Sequence, residues 1–202
     1  MANYFGLAQN TLARMRLISG VGYYDTCFDH PNWSNNDYDQ YPTRCSAVSE
    51  NQFFEYAPWQ DIPDNILDPS FSGETHYGYY EFSNTNVNGL GTDCSATNCS
   101  ELVMFARWVT DDVCTAYNNQ VGISNPSGNP PVYSYGQYIS LEPFNCTATG
   151  GGSYCYNGGS LTAIGGGYSP DLAGEATGCF SARHYNGGGP IGNMIYTVLE
   201  VQ

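Results

Sequence analysis

Residues 101–122 read ELVMFARWVTDDVCTAYNNQVG, and two patterns meet inside them. Residues 101–109 hold the apolar run Leu102-Val103-Met104-Phe105, which reads as a central strand. Thr110 then supplies a hydroxyl suited to cap a helix, and Asp111 and Asp112 fall in the first turn, where carboxylates suit the helix dipole. Val113, Tyr117 and Val121 are spaced to line one helix face, and Gly122 ends it. In the middle stands Cys114, well separated in sequence from every other cysteine. Spacing alone leaves it as a buried thiol or a nucleophile without a base.

Outward from this stretch the chain divides unevenly. Residues 4–19 place Phe5, Ala8, Leu12, Met15 and Ile18 at steps of three and four, which predicts one apolar stripe on a helix stopped by Gly20 and Gly22. Residues 23–73 have no periodicity and many turn formers, and Cys27 and Cys45 bracket the first part as a closed loop. ETHYGYYEF, residues 74–82, reads as a strand. Cys94 and Cys99 enclose a tight tip, and a short strand is expected within 132–140. Cys146 and Cys155 flank another loop, and the Gly-rich runs at 165–167 and 187–189 read as turns. NMIYTVLEV, residues 193–201, is β-branched and aromatic and predicts a terminal strand. The expected class is α+β: a long N-terminal amphipathic helix packed on an antiparallel β-sheet, with disulfide-closed loops. A single domain is expected over 1–202, made of the helix (1–22), a loop-rich stapled region (23–100), and the sheet with the short helix (101–202).

Composition narrows the function classes. Among 202 residues there are 19 acidic side chains, five arginines and no lysine, for a net charge of −14. Such a chain is repelled by nucleic acid and by anionic membrane. The eight cysteines point to an oxidising compartment, because zinc sites favour C-x2-C pairs and none occurs. The opening MANYFGLAQNTLARMRLISG lacks the apolar core of a signal peptide. An exported protein with this start is expected to be a mature or shortened form, with Met1 as an added start.

No motif for catalysis stands out. G-x-S-x-G and H-E-x-x-H are absent, and no enzyme is expected. Asp61, Asp64, Glu74, Glu81, Asp111 and Asp112 offer carboxylates, but a hydrolase needs two of them at a set separation. Asn84, Asn86, Asn88 and Asp93 carry side-chain oxygens in a glycine-containing loop, as calcium loops do. Asparagines replace the usual acids there and Ser95 stands where glutamate belongs, so an Asn/Gly turn is the plainer reading. No other cofactor is expected. Eighteen tyrosines and three tryptophans could serve packing, a protein interface or sugar stacking.

ELVMFARWVTDDVCTAYNNQVGI, the following NPSGNPP, then ATGCF and the closing IGNMIYTVLEVQ together resemble the globular domain of the bacterial type IV pilin and type II secretion pseudopilin family. The matching positions are Val113-Cys114, Asn118, Gly122-Ile123, Gly178-Cys179-Phe180 and Tyr196–Val201, and the likeness covers about residues 101–202. The resemblance implies a structural, non-enzymatic subunit outside the cytoplasm, at the cell surface or in the periplasm. Its partners would be other pilin subunits, with Phe5, Ala8, Leu12, Met15 and Ile18 as the helix interface. Its membrane contact would come only through an apolar helix half that this chain lacks, and its loops would form an exposed surface for adhesion. Proximity and the resemblance together imply the pairs Cys27–Cys45, Cys94–Cys99, Cys146–Cys155 and Cys114–Cys179, one of many connectivities that eight cysteines allow. A second reading is a secreted carbohydrate-binding or adhesive module, calcium-dependent if the loop binds the ion.

Overall fold

A computed structural model describes residues 2–22, 26, 28, 53–58, 60–73, 77–85, 87–91, 101–133, 164–166, 170–183 and 190–201. Among the described residues three α-helices, α1 (Ala2–Ser19), α2 (Phe53–Tyr56) and α3 (Asp111–Val121), accompany five strands. The strands are β1 (Tyr80–Thr85), β2 (Glu101–Val109), β3 (Val132–Tyr133), β4 (Thr177–Arg183) and β5 (Pro190–Glu200). They form one sheet in the order β1-β2-β5-β4-β3. Every pairing is antiparallel except β3 with β4, which is parallel, so the sheet is mixed where an antiparallel one was expected. The exception is local. After α3 the chain turns through Pro126–Gly128 and pairs with β4 at Val132 and Tyr133 among the described residues, with the Ser181 N–H donating to the Pro131 carbonyl at 2.8 Å.

The unbroken apolar run in β2 follows from its place. Leu102, Met104 and Ala106 face a core shared with α1, α2 and Phe28, whereas Val103 and Phe105 face a second core with Phe180, Met194 and Tyr196. A strand that packs on both faces cannot alternate apolar with polar residues. The helix side is built from rings: Phe28 stacks on Phe82 at 4.2 Å between centroids, and Phe53 lies 5.2 Å from Phe82. The opposite side has no long helix among the described residues. Val87, Ile123, Ile164 and Leu172, from turns and isolated bridges, close it.

α1 matches the expected helix closely, and its stripe is used inside the chain. Phe5, Ala8, Leu12 and Met15 are buried against the sheet, and Tyr4 and Thr11 join them. These four were assigned above to contacts with other subunits. Here they fill the chain's own core, because the sheet needs an apolar cover and α1 supplies it. Ile18 departs from the stripe and is 73% exposed, with Leu17 beside it at 85%. Two polar links fix the helix to β5. The Gln9 amide donates to the Val198 carbonyl at 3.0 Å, and Arg16 meets Glu200 through a two-point ion pair at 2.8 and 3.1 Å. No helix among the described residues is long and apolar enough to cross a membrane.

The strand expected at 74–82 begins later. Tyr77 and Gly78 form a turn, Gly78 taking φ +86°, and β1 runs on through Ser83, Asn84 and Thr85, which the sequence suggested were loop. Pairing with β2 decides this: Asn84 sits opposite Leu102 and Thr85 opposite Glu101. Glu101 is itself 2% exposed, and its carboxylate accepts a hydrogen bond from the Val87 N–H at 2.8 Å. Burial raises its pKa above the ordinary 4.5, with backbone hydrogen bonds opposing the shift. The folded chain therefore holds this proton more tightly than the unfolded chain, and stability falls as pH rises from about 4.5 through the raised folded value. Glu101→Gln keeps an acceptor for Val87 and removes the charge. Denaturant titrations across this range should show the variant gaining on the parent protein as pH rises. A constant difference at all pH values would refute the assignment.

α3 forms as expected. The Thr110 hydroxyl accepts from the Val113 N–H at 3.3 Å, and Gly122 closes the helix at φ +86°. Its fully buried positions are Cys114 and Asn118; Val113, Tyr117 and Val121 are half-buried beside them. Cys114 is bonded to Cys179 of β4, with the Cα atoms 5.4 Å apart. Cys27, Cys45, Cys94, Cys99, Cys146 and Cys155 lie outside the described residues.

Candidate binding cleft

The link between β2 and α3 shapes a cleft. Arg107 pairs with Met194 and Val109 with Asn193, so Trp108 is an extra residue in β2, and it adopts φ +56°. A bulge of this kind turns the strand away from its partner. The freed edge then pairs with the segment before it: the Asp68 N–H donates to the Trp108 carbonyl at 2.7 Å, and the Thr110 N–H to the Ile66 carbonyl at 3.0 Å. Asp68 next caps the 3-10 turn Pro69–Phe71, its Oδ1 accepting from the Ser70 N–H at 2.9 Å and the Ser70 hydroxyl at 2.7 Å. This brings Asp68 and Phe71 beside the N-terminus of α3.

Between that turn, α3, the 126–132 segment and the ends of β4 and β5 lies a cleft of about 630 Å³. Asp68, Asp111 and Asn193 line it with oxygens, and Ser127 and Ser181 contribute hydroxyls. Phe71, Pro126, Pro130 and Val132 provide apolar wall. Asn193 is 5% exposed. Its Nδ2 donates to the Val109 carbonyl at 3.1 Å and to Asp111 Oδ1 at 2.7 Å. Among the described residues, its Oδ1 accepts no hydrogen bond. Gly192 keeps this region open. Its φ is +101°, and a Cβ there would lie 2.9 Å from Trp108 Cδ1 and 3.4 Å from the Phe71 ring. A Cβ would press on the Trp108 ring and touch Phe71, and the positive φ would strain any other residue here. Among the described residues the lining contains no lysine, arginine or histidine.

Of the carboxylates noticed in the sequence, only Asp111 belongs to this cleft. Asp61, Asp64 and Asp112 are exposed elsewhere, Glu81 pairs with Arg107 at 3.0 Å, and Glu74 lies outside the described residues. The partners that make the cleft, Asp68, Phe71 and Asn193, were not noticed. A glycine inside a β-rich strand, Gly192, was the available signal, since such a glycine marks close approach.

Of the calcium candidates, the backbone of Asn84 and the side chain of Asn88 fall among the described residues. Asn84 belongs to β1, and the Asn88 amide donates to the Gly165 carbonyl at 3.0 Å, tying two turns together. Asn86 and Asp93 lie outside the described residues. Among the described residues there is no group of three or more His, Cys, Asp or Glu side chains placed to hold a metal ion.

No family model matches the chain, and neither curated proteins nor solved structures give a significant match.

Proposed function

We propose that the chain is the globular body of a type IV pilin-like or pseudopilin-like subunit. In this reading it is exported from a bacterial cell and built into a filament, with a structural rather than catalytic role. The observation that carries the proposal is the run from β2 through the capped helix α3, bonded by Cys114 to Cys179 of β4, beside a sheet covered by α1. Of these, β2, α3 and β4 lie in the segments whose sequence resembles that family. The exposed loops would carry contacts with the surroundings.

Subunit contacts through α1 must then use the face that the sheet leaves open. Asn10, Ala13, Arg14, Leu17 and Ile18 are exposed, and Leu17 and Ile18 are its large apolar groups. Leu17→Glu removes no buried contact, so the stability of the isolated chain should change by less than about 0.5 kcal/mol. Assembly should fail. Immunogold labelling of surface filaments with antibodies against this domain tests the proposal, with Leu17→Glu expected to abolish the labelled filaments. Unlabelled filaments, or normal assembly of the variant, would count against it.

A further inference from the structure

We infer that the cleft formed by Phe71, Asp68, Asp111 and Asn193 binds a neutral saccharide. The inference goes beyond a role in filament structure. The volume of about 630 Å³ lies within the range of small-molecule sites, roughly 300–1,000 Å³. The lining then selects among ligand classes.

Anions are disfavoured. Among the described residues the cleft presents two carboxylates and no cationic side chain, on a chain of net charge −14. Phosphate, sulfate and uronic acids would meet repulsion that no described side chain of the lining offsets. A purely apolar ligand is equally unsuited, because it would strip water from Asp68, Asp111 and the Asn193 oxygen without replacing their hydrogen bonds. What fits is a molecule with many hydroxyl donors and one apolar face. A pyranose ring has both. Its C–H face can lie on Phe71 and the flanking prolines, while its hydroxyls donate to the carboxylates and to Asn193 Oδ1. Ser127 and Ser181 can donate in return to the sugar oxygens.

The Asn193 oxygen is the most telling feature. The side chain is 5% exposed and held from behind by two hydrogen bonds through its nitrogen. Its carbonyl end is therefore fixed in direction and unoccupied by the described residues at a surface where a ligand donor can reach it. A fixed acceptor costs little ordering on binding. Asp111 is fixed in the same way, because one of its oxygens accepts from Asn193.

Isothermal titration of the whole chain with cellotriose, maltotriose, triacetylchitotriose and lactose tests this, with lysine amide and inorganic phosphate as comparison ligands. At least one neutral saccharide should bind with a dissociation constant in the millimolar range or below. Phe71→Ala should weaken it about tenfold through loss of the stacking surface. Asp111→Asn, which preserves an acceptor for Asn193, should weaken it several-fold with an unchanged melting temperature. Asp112→Asn removes the same charge one residue away, outside the cleft, and should leave binding unaltered. If Phe71→Ala fails to fold, the contrast between the two aspartate variants still decides the question. Absence of saccharide binding overturns the inference, as does binding indifferent to Asp111→Asn. Binding of lysine amide alone would also overturn it and would make the cleft a site for cationic side chains.

Discussion

Replacing Cys114 and Cys179 together by serine is expected to lower the unfolding free energy by about 4 kcal/mol. The bond joins residues 65 apart in sequence, and the entropy of the unfolded chain grows accordingly when that loop is opened. Both cysteines are fully buried, and one of them lies in a strand next to the central one. Guanidinium unfolding of the double variant against the oxidised parent protein measures the loss. The unfolding slope should rise as well, because an uncrosslinked chain exposes more surface. A loss below about 1 kcal/mol would show that the unfolded chain is already held compact by other constraints.

Asn118→Ala should be nearly as damaging, at about 3 kcal/mol. Asn118 is fully buried, four residues after Cys114 and on the same helix face. Its amide behaves as a piece of an adjoining strand. Its Oδ1 accepts from the Cys179 N–H at 2.7 Å, and its Nδ2 donates to the Cys179 carbonyl at 2.9 Å. β3 pairs with β4 only at Ser181 and Ala182, so without Asn118 this stretch of edge has no partner among the described residues. Truncation leaves a buried donor and a buried acceptor unpaired, and each such group costs about 1–3 kcal/mol. Nδ2 also reaches Asn125 Oδ1 at 3.0 Å, and Asn125 donates to the Thr115 carbonyl at 3.1 Å, so the turn after α3 should loosen too. Denaturant unfolding reads the total. Because the disulfide and the amide hold the same residue of β4, removing both should cost less than the sum of the separate losses. Strict additivity would mean that the two fasteners act independently.

These two side chains also show what was legible in the sequence. The helix was found from its cap and its glycine, and the strand before it from its apolar run. The pairing of Cys114 with Cys179 came from proximity and a family resemblance. The buried face was misplaced by one residue. Val113, Tyr117 and Val121 were chosen because they are apolar, yet the sulfur at 114 and the amide at 118 point inward, because a bond and a strand edge wait for them. Hydrophobic spacing cannot reveal a polar side chain whose partner is a distant backbone. The short strand expected within 132–140 is present at Val132–Tyr133, but its parallel direction was not legible, because pairing with β4 sets it. The cleft was hidden more completely. It joins residues 68 and 71 to 111, 127 and 193 through a bulge, and no local signal announces which residue of β2 will be the extra one.

The clasp between Arg16 and Glu200 gives the chain a direction in which it is strong. β5 sits third of five in the sheet, and α1 is tied to it near Val198 and again at Glu200. Tension applied along α1 therefore enters at the middle of the sheet. The neighbouring strands β2 and β4 hold β5 by antiparallel ladders on either side, so the strand that receives the load is paired along both edges. An edge strand would peel one hydrogen bond at a time; a central strand loads two ladders at once. Whatever pulls on the N-terminal helix thus loads a strand that has a paired neighbour on each side.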